Sequence, residues 1–105
     1  MISRIFVKRI EWNGIGIEVS YEPDWMPGLK QILGGSMAHL QVQSVQPERA
    51  ALPITETGYR SHFLPAHEIV AAGGASVYVQ EWLDAAARDP AWKAQVEDAR
   101  QLVLL

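Results

Sequence analysis

The dipeptide Asn13-Gly14 constrains this chain more than any other feature, because it lies between two alternating stretches, FVKRIEW and IGIEVSYE. Both central positions of a type I′ hairpin turn need positive φ angles, which Asn-Gly adopts readily. Such a turn pairs four sets of residues on one face: Trp12 with Ile15, Ile10 with Ile17, Lys8 with Val19, and Phe6 with Tyr21. A slip of one residue would expose the apolar members, so the pattern predicts the register as well as the hairpin.

Two later segments show the same alternation. MAHLQVQSV separates Ala38, Leu40 and Val42 from His39, Gln41 and Gln43. GYRSHF separates Tyr59, Ser61 and Phe63 from Arg60 and His62. Alternation over four to eight residues is typical of a strand with one buried face. The sequence therefore predicts an antiparallel sheet of three or four strands that includes the hairpin.

Helical signals dominate the C-terminal third. PAHEIVAAGG begins at a proline and ends at two glycines, as short helices do. ASVYVQEWLDAAAR carries an apolar stripe at helical spacing: Ala75, Tyr78, Val79, Trp82, Leu83 and Ala86. Asp89-Pro90 predicts a further helix start, after which four apolar residues continue at helical spacing: Trp92, Val96, Ala99 and Val103. We also expect Lys93 and Glu97 to pair within this helix.

A single helical turn is predicted in PDWMPGLKQILGG, between the hairpin and the third strand. Asp24 is the expected N-cap and Gly34-Gly35 the expected end. Leu29, Ile32 and Leu33 are expected to pack inward from this turn.

These elements predict an α+β fold, with the hairpin in a three- or four-stranded antiparallel sheet packed against two or three C-terminal helices. Residues 1–105 are expected to form a single domain, with a sheet half at 1–64 and a helical half at 65–105. A chain of this length, with 49% hydrophobic residues, has enough apolar surface for one core.

Charge and cysteine content exclude several classes of function. The formal net charge is −3, which gives no broad attraction to nucleic acid or to an anionic membrane. The absence of cysteine excludes disulfides, thiolate catalysis and sulfur-ligated zinc. The N-terminal stretch is interrupted by Arg4, Lys8 and Arg9, so it is neither a signal sequence nor a membrane span. We therefore expect a cytoplasmic protein with no cofactor and no direct contact with nucleic acid or membrane.

Residues 53–68, PITETGYRSHFLPAHE, hold an unusual density of polar side chains. One interpretation is structural: Glu56, Arg60 and three hydroxyl residues brace an irregular connection between the sheet and the helices. The hydroxyl residues are Thr55, Thr57 and Ser61. The other interpretations are functional.

A small metal-dependent or hydrolytic enzyme is the first functional alternative. Histidines and a carboxylate are suitable zinc ligands, and the candidates are His39, His62, His67 and Glu68. A serine nucleophile would need Ser61 or Ser36 beside His62 or His67. However, no metalloprotease motif or nucleophile elbow accompanies these residues.

A protein-binding surface is the second functional alternative. Trp25 lies in a proline-flanked loop without a core stripe to join, and tyrosine, tryptophan and arginine dominate interface hot spots. The candidate contact residues are Trp25, Met26, Glu56, Tyr59, Arg60 and His62. Acidic residues in the sheet half favour a basic partner surface: Glu18, Glu22, Asp24, Glu48 and Glu56.

The segment PITETGYRSHF, followed by GG and a tail like WLDAAARDPAWKAQVEDARQLVLL, resembles a family of small uncharacterised proteobacterial proteins. These proteins are often encoded on plasmids or integrated mobile elements. The resemblance covers residues 36–105 and brings no established activity or catalytic residue. It implies a mobile-element accessory protein or an inhibitor of host machinery, of the anti-restriction or anti-CRISPR type.

We therefore expect a non-enzymatic module that binds another protein, with a nucleic-acid-binding host protein as a candidate partner. The enzyme using His39, His62, His67 and Glu68 stays open as the alternative. A homodimer sealed by the apolar tail QLVLL or by the sheet edge is compatible with either.

Overall fold

The structure, a computed structural model, describes residues 4–104, except for the side chains of residues 29 and 102–104. Its elements are β1 (Phe6–Trp12), β2 (Ile15–Glu22), a 3-10 turn (Pro27–Leu29), α1 (Lys30–Leu33), β3 (Met37–Gln46), β4 (Tyr59–Pro65), α2 (Ala66–Ala72), α3 (Ala75–Ala86) and α4 (Pro90–Leu104). The four strands form one antiparallel sheet in the order β1-β2-β3-β4. The predicted α+β class, with its N-terminal hairpin, is confirmed.

The Asn-Gly hairpin forms as predicted. Asn13 and Gly14 have φ angles of 48° and 81°, the positive values that a type I′ turn requires. All four predicted residue pairs occur between β1 and β2. The register is therefore set locally, by the turn and the apolar pattern together.

The sheet has two different faces. The covered face, which carries Ile17, Val19, Leu40 and Val42, packs against α2 and α3. The open face carries the alternate residues of the strands, including His39, Gln41, Ser61 and Phe63. The main core cluster consists of Ile10, Trp12, Ile17, Val19, Ala38, Leu40, Val42, Leu52, Ile54, Leu64, Ile69, Val79 and Leu83.

The connection between β3 and β4 is more than a turn, because it contributes Leu52 and Ile54 to the core. The Ser44 hydroxyl donates a hydrogen bond of 2.6 Å to the Ala50 carbonyl and so holds the start of this connection. At its end, Gly58 has a φ angle of 81°, and a Cβ there would lie 2.7 Å from the Arg49 Cα. Only glycine fits this position without displacing backbone.

The helices α2 and α3 start and stop as predicted. α2 follows Pro65 and ends at Gly73, whose N–H donates to the Val70 carbonyl. α3 buries Val79 and Leu83 against the sheet. The Trp12 indole N–H donates a 2.9 Å hydrogen bond to the Asp84 carboxylate, which ties the hairpin to α3.

The helix α4 also begins as predicted, since the Asp89 carboxylate accepts a 2.9 Å hydrogen bond from the Ala91 N–H. Within its described side chains, the apolar stripe of α4 is partly buried only in the first turn. Trp92 is half-buried near Trp12, but residues 93–101 are exposed. Glu97 pairs with Arg100 at 3.7 Å, and no such pair joins Lys93 to Glu97. Val103, and residues 102–105 of the tail that was considered as a homodimer seal, lie outside the described side chains.

The helical turn between β2 and β3 forms, but two predictions about it are wrong. The N-cap of its 3-10 segment is Met26, without a side-chain cap bond, rather than Asp24. Ile32 and Leu33 are exposed, because β2 and β3 pair as far as Glu22 and His39 and the turn lies beyond their end. The Leu29 side chain lies outside the described part. No helix within residues 4–104 is long and apolar enough to cross a lipid bilayer.

Candidate functional site

Three aromatic rings pack together on the open face. Phe63 and His39 are cross-strand partners, and their rings stack with centroids 4.2 Å apart and planes 5° apart. The Trp25 ring packs against Phe63 with a centroid distance of 4.5 Å. The Trp25 backbone N–H donates to the Met37 carbonyl at 2.9 Å, which brings the loop after β2 back over this face.

Polar contacts extend this cluster along β4. Ser61 Oγ and His39 Nε2 share a 2.6 Å hydrogen bond. The Tyr59 hydroxyl donates to the Gln41 side-chain oxygen at 3.0 Å. We call Trp25, His39, Tyr59, Ser61 and Phe63 the open-face patch. The β3–β4 register brings four of its members together, and the backbone hydrogen bond of Trp25 adds the fifth from the loop after β2.

The open-face patch is ordered by its own contacts but is not buried. The exposed fractions are 37% for Trp25, 44% for Tyr59 and 46% for Phe63, and the neighbouring Met26 is also exposed. Large aromatic side chains are normally buried in a small domain, and contiguous exposed apolar surface marks an interaction site. The patch therefore has the composition of an interface hot spot.

Carboxylates lie beside the patch on the same face. Glu22 is the cross-strand partner of His39, and Glu18 is the partner of Gln43. Arg9 faces Glu18 in the register, and its guanidinium donates to the Gln46 side-chain oxygen at 2.9 Å. The face therefore combines exposed aromatic surface with acidic surroundings.

Arg60 and His62 lie on the covered face, at its edge. The Arg60 guanidinium carbon lies 5.6 Å from the centroid of the Trp82 ring, and Arg60 donates to the Ile54 carbonyl at 3.4 Å. The His62 ring lies 4.7 Å from Trp82, centroid to centroid. Burial is the main cause that lowers the pKa of His62, and the positive charge of Arg60 adds to it, while Glu68 acts in the opposite direction. Both residues therefore help to cap the edge of the core.

The structure divides the predicted contact residues between two sides of the sheet. Trp25 and Tyr59 lie at the open face, Met26 is exposed in the loop next to Trp25, and Glu56 is exposed in the connection before β4. Arg60 and His62, as just described, turn to the other face. The predicted protein-binding surface did not include Phe63, His39 and Ser61, although the alternation in GYRSHF already put Tyr59, Ser61 and Phe63 on one side.

The structural interpretation of residues 53–68 holds for the segment before β4. Thr55 Oγ1 donates to the Tyr59 carbonyl at 2.9 Å and accepts from the Thr57 N–H at 3.3 Å. The Thr57 hydroxyl accepts from the Tyr59 N–H at 3.4 Å. Together with the Arg60 contact to Ile54, these bonds satisfy the backbone of an irregular turn.

The residues of the predicted metal or hydrolytic site do not converge. His39 and His62 lie on opposite faces of the sheet, because Leu40, not His39, is the partner of His62. Within residues 4–104, no three His, Asp or Glu side chains are grouped closely enough to hold a metal ion. The Ser61–His39 pair lies on an exposed strand surface, whereas a serine nucleophile needs an oriented base and oxyanion donors in a water-shielded site.

The chain matches a known family. The model of the family described as the KlcB third domain matches residues 6–92, and the chain belongs to this family. The matched range includes the whole sheet, α2 and α3, and it ends in the first turn of α4. No curated protein and no solved structure matches the chain. The predicted family resemblance is thus confirmed in part, and the mobile-element setting stays a prediction.

Proposed function

We propose that this chain is a small non-enzymatic module that binds another protein through the open-face patch. The observation that carries the proposal is the Trp25–Phe63–His39 cluster. Its rings are held in place by contacts of 4.2 and 4.5 Å, yet Trp25 and Phe63 keep over a third of their surface in water. Rigid, exposed aromatic side chains gain contact area on binding at little cost in conformational entropy.

A basic protein surface is the partner that suits the charges. Glu18 and Glu22 lie on the same face as the patch, and the formal net charge of the chain is −3. Aromatic residues on an open sheet also stack nucleic-acid bases, but such platforms are surrounded by basic residues that contact phosphates. The carboxylates here would repel phosphates. We therefore propose that the patch binds a nucleic-acid-binding protein rather than nucleic acid itself.

Family membership suggests the biological setting. We infer a mobile-element accessory protein that acts in the cytoplasm on host machinery. In this role the acidic open face would occupy the basic surface of a restriction or CRISPR component and so inhibit it. The aromatic patch supplies affinity, and the carboxylates supply steering and partner choice.

Affinity capture from a bacterial host lysate tests this proposal. We expect the tagged chain to retain one stoichiometric partner with a basic surface, and Phe63→Ala to abolish capture. Val70→Ala is the matched control, because Val70 is an exposed apolar residue on α2, away from the patch. Capture that survives Phe63→Ala, or that is lost equally in Val70→Ala, would contradict the proposed role of the patch.

A further inference from the structure

An apolar groove lies between α4 and the turn end of the hairpin, far from the open-face patch. Its volume is about 810 Å³, and its floor includes Trp12, Ile15, Trp92 and Val96. The groove residues on α4 recur at helical spacing, so they form a stripe along one side of that helix. A groove of this size accommodates the apolar face of an amphipathic helix.

The helix α4 packs little against the rest of the chain over residues 90–101, whose side chains the structure describes. It is 15 residues long, about 22 Å, but it contacts the hairpin through Trp92 in its first turn. Val96 keeps 39% of its surface exposed. Helices of this length are marginal in water without tertiary packing, so an occupant of the groove would stabilise α4.

The charged residues that line the groove are both cationic. Lys93 and Arg100 line it, and none of its lining residues is acidic. Arg100 also contacts Glu97 at 3.7 Å, but both side chains are largely exposed, so this pair is weak and exchangeable. The groove therefore presents an apolar floor and a cationic rim, in a chain whose overall charge is negative.

We propose that this groove docks an amphipathic helical segment of a partner protein, with acidic residues beside its apolar face. The apolar side chains of that segment cover Val96 and Trp92, and its carboxylates meet Lys93 and Arg100. This site is separate from the open-face patch, and its occupant has the opposite charge to the partner surface proposed there.

A second copy of α4 is a poorer occupant of the groove, because its cationic residues would be repelled by those of the first copy. Lys93 and Arg100 lie on the same side of the stripe formed by Trp92, Val96 and Ala99. In an antiparallel helix pair, residues on one side of the stripe face the same side of the other helix. Two copies would therefore bring four cations together, and a partner with acidic flanks would not.

An NMR titration of the full chain with synthetic peptides tests the proposal. The probe is an amphipathic helix of about four turns with leucines on one face and flanking glutamates. We expect shifts centred on Trp12, Ile15 and Val96 at peptide concentrations up to about 1 mM. The same peptide with lysines in place of the glutamates should bind much more weakly.

Variants assign the binding to the groove. K93E together with R100E should weaken binding of the acidic peptide about tenfold, the factor expected for two exposed ion pairs. K30E together with R4E changes the net charge equally, at the end of the sheet opposite the hairpin turn, and should leave binding within about twofold. Val96→Ser should also weaken binding, whereas Phe63→Ala should not.

Four results would overturn the proposal. In the titration, these are equal binding of the lysine and glutamate peptides, chemical shift changes centred on the open-face patch, and no chemical shift changes at all. In sedimentation equilibrium, it is a dimer that Val96→Glu dissociates. The last result would assign the groove to a second copy of this chain.

Discussion

The two faces of the sheet are built from alternate residues of the same strands, but large apolar side chains are buried on one face and exposed on the other. On the covered face, Leu40 is fully buried and the Trp12 indole is satisfied by Asp84. On the open face, Phe63 and Trp25 pack against each other and remain exposed. Folding explains the first arrangement, because burial of apolar surface drives it. It does not require the second, which the proposed binding role would explain.

The largest expected effect comes from Leu40, in the centre of the covered face. Leu40→Ala removes a fully buried side chain and leaves a cavity in the core cluster. We expect a loss of about 2–5 kcal/mol in the free energy of unfolding, measured by chemical denaturation. A loss of about 0.5 kcal/mol or less, the usual range for surface positions, would contradict the distinction between the faces.

Trp82→Ala should have an intermediate effect. Trp82 belongs to the covered side but is half-buried, and it contacts Arg60 and His62 at the edge of the core. We expect a loss of about 2 kcal/mol, below the 3–5 kcal/mol typical of a fully buried tryptophan. Denaturant midpoints measured for Trp82→Ala and Leu40→Ala under the same conditions test whether Leu40→Ala loses more stability.

His62 should make the covered side sensitive to acid. Its pKa is lowered in the folded chain, chiefly by burial, so folding favours the neutral ring. This contribution to stability is present above the ordinary histidine pKa of about 6.5 and is lost as the pH falls through the lowered folded value. Unfolding curves across that range should show a smaller acid-induced loss in His62→Gln than in the wild type. An equal acid-induced loss of stability in the two proteins would show that His62 does not cause the acid sensitivity.

The smallest effect on stability is expected on the open face. Phe63→Ala removes the ring contacts with His39 and Trp25 but opens no cavity in the core. We expect the free energy of unfolding to fall by about 0.5–1 kcal/mol, the value of an exposed aromatic pair. A loss as large as that of Leu40→Ala would place Phe63 in the core and weaken its assignment to binding.

Local signals in the sequence predicted the covered face well. The hairpin register follows from Asn13-Gly14, and Val79 and Leu83 follow from helical spacing. The burial of Leu52 and Ile54 was missed, because the connection that carries them is irregular and has no period. The exposure of α4 after Trp92 was missed as well, since a stripe at helical spacing does not say whether anything covers it.

Prediction of the open-face patch would have required contacts between residues far apart in the sequence. Alternation predicted that Tyr59, Ser61 and Phe63 share a side, but the choice of Arg60 and His62 as contact residues rested on residue type alone. The Ser61–His39 hydrogen bond requires the register between β3 and β4, which no local signal specifies. The position of Trp25 over Phe63 requires the path of the loop after β2.

The most direct test of the account compares binding and stability in one variant. We would measure the affinity of the captured partner for the wild type and for Trp25→Ala/Phe63→Ala by calorimetry, and the unfolding of the same samples. We expect the affinity of the double variant to fall about 100-fold or more, as it does for hot-spot residues. Its free energy of unfolding should change by less than about 1.5 kcal/mol. Unchanged affinity in a folded variant would contradict the assignment of the open face to binding.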